Sequence, residues 1–291
     1  MTSAIQSLVL VTDESESIRS REGLSARAVR WSLIAIGLSF FTLILFLPFL
    51  AIFAEALKKG WDTYSQAILD EEALGALRLS VSLLLVSVPL NTVFGLAAAW
   101  TISKFEFRGK RLLVTLVDLP LAVSPVIAGL VFVLLFGSQG WWGAWFSERG
   151  IKVLFAFPSM ALATTFITIP FVVKQLLPLM EAQGTEEEEA AALLGADGWQ
   201  SFWHVTLPNI RWALLHGIVL CTARGIGEFG AVSVVSGHIR GLTNSLPLHI
   251  EILYNEYHFA AAYAVASILA LFSLITLGLK LYFERKTLQS R

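Results

Sequence analysis

Inside an otherwise apolar stretch, Trp212–Val235, the sequence carries an arginine and a glutamate four residues apart, Arg224 and Glu228. Charge in an apolar segment is costly unless it is paired or faces a cavity, so its default role is functional. At this spacing on a helix the two side chains can pair with each other, and they can equally face a pathway for an ion; the sequence leaves both readings open. A second charged feature is a run of four glutamates, Glu186–Glu189, in GTEEEEAAALLGADGWQSFWHVTLP (184–208). Such an acidic knot offers charge to a basic partner outside the segment, or serves simply as the solvated face of a helical hairpin.

Other chemistries lack the residues to carry them. The one Gly-Lys pair, Gly109-Lys110, has neither the upstream glycine nor the hydroxyl residue of a phosphate-cradling loop. His204, His216, His238, His249 and His258 show no metal-ligand spacing, and the lone Cys221 reads as packing. No nucleophile, base and orienting group can be assembled. No catalytic residue, metal site or cofactor is therefore expected in this chain.

The elements that must position these charges are membrane spans. Of 291 residues, 56% are hydrophobic and 15% charged, and the mean hydropathy of +0.70 lies outside the range of soluble domains. A bilayer core of about 30 Å needs about 20 apolar helical residues. Six segments reach that length: Trp31–Ala54, Leu77–Thr101, Leu112–Phe136, Val153–Val173, Trp212–Val235 and Ala260–Lys280. The prolines within them (Pro48, Pro89, Pro120, Pro125, Pro158 and Pro170) mark kinks or broken turns. Met1–Arg30 is polar, lacks a cleavable signal sequence and has a disorder-prone composition. Lysines and arginines divide fourteen against five between the two sets of connections and ends, which places both termini and the acidic knot in the cytoplasm. The opposite loop GSQGWWGAWF (137–146) then lies at the far interface as an aromatic belt.

The longest cytoplasmic connection, from Lys174 to Arg211, carries helix signals of its own. Thr185 with Glu188 reads as a capping box, and Glu186–Glu189 fill the first turn, where the helix dipole favours them. Gly195 stands where a left-handed residue ends a helix; Asp197 with Gln200 starts a second, and Pro208 is expected to close it.

In this order the residues resemble a known signature. Glu189-Ala190-Ala191, Leu194-Gly195-Ala196 and Leu207-Pro208 are similar to the EAA motif of the permease subunits of ABC importers. The resemblance implies that the loop is the coupling helix docking on an ATPase, with Glu188, Glu189, Ala190, Ala191, Leu194, Gly195 and Ala196 as its coupling residues. The stretch GEFGA (227–231), with its continuation to Tyr257 and with DLPLAVSPVIAGL (118–130) and VTLPNIRWALL (205–215), resembles oxyanion permeases, most nearly the sulfate/thiosulfate branch of CysW type.

The resemblance implies an all-α integral membrane protein with six transmembrane helices. The tail would occupy 1–30, the permease domain 31–283 with its coupling loop at about 174–211, and a C-terminal tail 284–291. The chain would move sulfate and thiosulfate across a bacterial cytoplasmic membrane by alternating access. The implied partners are a homologous CysT-like permease, two CysA-like ATPase subunits that bind ATP and Mg, an extracytoplasmic sulfate-binding protein and membrane lipid, with no nucleic acid. A pathway for sulfate should offer weak neutral donors beside the charged pair, because a site that binds too tightly does not release. Ser124, Ser233, Ser236, Thr243 and Ser245, with Arg224 and Glu228, are the candidates. The alternatives are a molybdate or tungstate permease and an ATP-independent anion carrier.

Overall fold

The computed structural model describes residues 27–289, and among these the chain forms helices and no strand. The tail expected over 1–30 lies outside the described residues except for 27–30, which are helical. The chain divides into two compact units between Ala54 and Glu55. The described part of the first, residues 27–54, is helical and belongs to helix α1 (Arg27–Leu57), which contains the expected span Trp31–Ala54 and one π turn, Thr42–Phe46.

The second unit opens with a short helix α2 (Trp61–Leu69) and a long one, α3 (Glu71–Lys104), which contains the expected second span. Asp70 starts α3 by accepting the amides of Glu72 and Ala73 at Oδ2, at 3.1 and 3.4 Å. The expected third span is not one helix. It is α4 (Lys110–Ala122) and α5 (Pro125–Phe136), bent by 110° at Val123-Ser124. The cause is local: a residue before proline is driven out of helical conformation, and Ser124 accordingly has ψ 135°. A short helix α6 (Gly143–Glu148) follows in the aromatic loop.

Helix α7 (Phe157–Gln183) begins four residues later than the expected Val153, because Pro158 belongs in a first turn, where its missing N–H is not needed. It runs on through Pro170 and Pro178. This is the central element: Met160, Ile167, Val172, Val173, Leu176 and Leu179 are buried along it, packed among residues of α3, α4 and α5 and of the helices that follow. After α8 (Glu186–Leu193), helix α9 (Gly198–Ile226) and helix α10 (Gly230–Ser236) form a second broken span, bent by 53° at Gly227–Phe229. Helix α11 (Leu246–Asn255) packs on α12 (Phe259–Gln289), which runs straight through the tail boundary expected at 283. Among the described residues four helices are long and apolar enough to cross a membrane alone, and up to six crossings result if each bent pair counts as one.

Candidate coupling and permeation site

The acidic knot folds into α8, but not by the expected capping box: the Thr185 side chain makes no cap hydrogen bond. Its Oγ1 instead donates to Glu189 Oε1 at 2.7 Å. Glu188 is drawn away by a stronger partner, the Lys104 ammonium at the end of α3, at 2.8 Å, and also accepts Thr206 Oγ1 at 3.0 Å. Glu187 accepts the Asn209 amide. Three of the four glutamates are thus engaged by their own chain.

The end of α8 forms as expected. Gly195 adopts φ +92°, a left-handed conformation that L side chains resist, and the amides of Gly195 and Ala196 bond the carbonyls of Ala192 and Ala191, each at 3.0 Å. The Asp197–Gln200 capping box forms in both directions, at 2.7 and 3.0 Å. Pro208, by contrast, does not close the second helix. The turn before it, Phe202–Thr206, widens to π geometry, with the Leu207 amide reaching back to the Phe202 carbonyl, and α9 continues to Ile226. The tip of the loop is apolar: Leu193 and Leu194 are each 90% exposed, and Ala190 is exposed beside them. Behind α8 lies a cavity of about 310 Å³ lined by Trp100, Lys104, Glu188, Ser201, Phe202 and Thr206.

The pathway candidates separate into two groups. Arg224 and Glu228 pair, Nη1 to Oε2 at 2.6 Å, as a charge contact without hydrogen-bond alignment. Glu228 is buried and its Oε1 accepts the Ala231 amide at 3.0 Å, capping α10, whereas the Arg224 side chain keeps 35% exposure. Gly230 lies against Pro125 and Gly129 against Ala231 and Val234, so the two broken spans meet at their breaks. Ser124, exposed, and Ser233, half-buried, belong to these spans. Ser236, Thr243 and Ser245 are buried; Ser236 accepts the His238 amide and Thr243 the Ile239 amide, each at 3.1 Å. Sequence reasoning missed Asp118 and Lys174, a half-exposed pair at 3.0 Å joining α4 to α7. It missed Lys104 as well, whose only sequence signal is a cation in a last helical turn.

The family model described as binding-protein-dependent transport system inner membrane component matches residues 91–289, a range that holds both broken spans and the acidic loop between them. The chain belongs to this family. It is a multi-pass membrane protein of the inner-membrane transport component class. Among relatives of this component, the chain is 51% identical over 251 residues to the sulfate transport system permease protein CysW of Escherichia coli strain K12, covering 86% of each chain. It is also 38% identical over 255 residues to the permease protein CysT of the same organism's sulfate transport system, covering 88% of this chain and 90% of that one. In fold, the inner-membrane component matches a chain of a bacterial alginate ABC transporter solved in complex with an alginate-bound periplasmic protein. The TM-score is 0.73 at 18% identity, with 89% of this chain and 95% of that one covered.

Proposed function

We propose that the chain is one permease subunit of an ATP-driven importer that moves sulfate across a bacterial cytoplasmic membrane by alternating access. The observation that carries the substrate is the 51% identity, over 86% of both chains, to a protein named for sulfate transport. A lower but extensive identity to a second sulfate permease of the same organism supports a heterologous pair, with the pathway between this chain and a CysT-like sister. Thiosulfate is the further anion this reading admits.

In this reading both termini and α8 face the cytoplasm, as the distribution of lysine and arginine demands. Leu193 and Leu194 at the tip enter a groove on a CysA-like ATPase subunit, two of which bind ATP and Mg beneath the permease pair. An extracytoplasmic binding protein delivers sulfate to the opposite end. At the breaks of the third and fifth spans, unwound backbone and the start of α5 line the pathway, the geometry in which discontinuous helices meet anions. There Arg224, already committed to Glu228, offers a weakened positive field, and the same two broken spans carry the hydroxyls of Ser124 and Ser233. ATP binding and hydrolysis in the partner displace α8, and the bundle follows as a rigid body. The chain itself performs no catalysis.

The test is uptake of labelled sulfate into vesicles holding this chain with its sister permease, ATPase and binding protein, with and without ATP and with excess molybdate. ATP-dependent sulfate uptake that molybdate barely inhibits is the expected result. Molybdate carried in place of sulfate overturns the substrate, and uptake without the ATPase overturns the coupling.

A further inference from the structure

We infer that Lys104 is a positioning residue, the latch that makes the coupling helix move as one piece with the bundle; the inference rests on the importer reading above. Helix α8 is joined to its neighbours through Gly184, at φ +66°, and Gly195, at φ +92°. Glycine at both joints leaves the backbone free to pivot, so a push delivered at Leu193 and Leu194 would be absorbed by turning the helix in place. Something other than the chain connection must hold it.

Lys104 supplies that hold. It is the last residue of α3, and its ammonium meets Glu188 Oε1 at 2.8 Å while donating to the Gly184 carbonyl, the residue that caps α7. The same Glu188 oxygen accepts Thr206 Oγ1 in the π turn of α9 at 3.0 Å. One buried cation therefore ties the end of α3, the end of α7 and the first turn of α8, and through the shared carboxylate reaches α9. The Lys104 side chain is only 8% exposed, in a cavity walled by Trp100, Phe105 and Phe202. The pair is partly shielded from water, with the Glu188 side chain 23% exposed, and loss of Glu188 leaves a largely buried ammonium without its counter-charge. Glu187 with Asn209 adds a second, exposed tether to α9. Force on the leucine tip is thus delivered to α3 and α9, both of which pack against the central α7.

Two readouts on Lys104→Met and Lys104→Arg test this. Hydrogen exchange of the full chain in detergent micelles follows the amides of residues 189–194. Uptake of sulfate per ATP hydrolysed follows coupling in the reconstituted complex. The methionine variant is expected to exchange these amides about tenfold faster and to lose about tenfold in uptake per ATP, and arginine, which keeps the charge, restores both. If the methionine variant does not assemble, Lys104→Met with Glu188→Met removes both charges together, and its uptake per ATP decides in the same way. Unchanged exchange, or faster exchange with wild-type uptake per ATP, overturns the latch. Absence of ATP-dependent uptake in the unsubstituted complex fails the importer reading instead, and hydrogen exchange still judges the latch.

Discussion

A Cβ placed on Gly230 would stand 2.8 Å from the Cβ of Pro125, so the broken fifth span touches the broken third at the point where both lose their helical geometry. The contact between α5 and α10 is as tight at Gly129, where an added Cβ would lie 2.8 Å from Val234 Cβ and 2.9 Å from the Ala231 carbonyl. These two glycines set the spacing of the elements that carry Ser124, Arg224 and Ser233.

Alanine at either glycine overpacks this contact. Gly129→Ala, which meets backbone, is expected to cost about 1–3 kcal/mol, and Gly230→Ala, which meets the edge of a proline ring, less. Gly75→Ala is the control: it lies inside α3 with nothing within 4 Å, and it should gain about 0.5–1 kcal/mol. Thermal unfolding in detergent orders the three variants, and a Gly129→Ala protein as stable as the control contradicts the contact.

Removing Arg224 leaves the buried Glu228 carboxylate without its counter-charge. Arg224→Met is expected to destabilise by about 3–5 kcal/mol, and adding Glu228→Gln, which keeps an acceptor for the Ala231 amide, should recover most of it. Melting temperatures of the single and double variants check the pair. Sulfate uptake by the stable double variant then separates its roles: retained uptake makes the pair structural, and lost uptake places Arg224 on the pathway.

At Gly195 the strain is conformational, because no atom stands within 4 Å of an added Cβ. Gly195→Val is expected to cost about 1–2 kcal/mol and to fray the end of α8, whereas Gly195→Asn, which tolerates the left-handed region, should come close to the glycine. Hydrogen exchange at Ala196, whose amide bonds the Ala191 carbonyl, reports the difference.

His249 sits in α11, outside the spanning helices, and is buried against Asn244, whose Nδ2 lies 3.3 Å from its Nδ1. Burial pushes its pKa below the ordinary 6.5, with nearby Glu72 and Asp70 opposing. A depressed folded-state value means that the unfolded chain takes up the proton first. The stabilisation is therefore complete above pH 6.5 and is eroded as pH falls toward the folded-state pKa. Between pH 7.5 and 5.5, roughly one unit either side of that value, the wild type should lose more thermal stability than His249→Gln, measured under identical detergent conditions.

Much of this was legible in the sequence because it depends on neighbours in the chain. Apolar length marked the spans, and the Asp197–Gln200 box and the Gly195 turn are decided within a few residues. What was not legible depends on distant partners or on competition between local rules. Thr185 and Glu188 spell a capping box, yet Lys104, far away in sequence, wins the glutamate. Pro208 spells a helix end, yet the turn before it widens to π geometry and the helix continues. A leucine-rich run from 112 to 136 spells one span, and although Pro125 breaks it locally at Ser124, the 110° bend that results and the packing of Pro125 against Gly230 depend on a distant partner.

The leucine tip of α8 also has a consequence for how an assembled transporter responds to its surroundings. Glu187, Glu188 and Glu189 are engaged by Asn209, Lys104 and Thr185, and the apolar part of the surface that the tip offers is Leu193 and Leu194. An apolar joint of this kind is insensitive to ionic strength, which screens exposed charge pairs, and its strength wanes on cooling as the drive to shed hydration water weakens. If the proposed ATPase subunit docks through these leucines, that contact would hold in high salt and loosen in the cold.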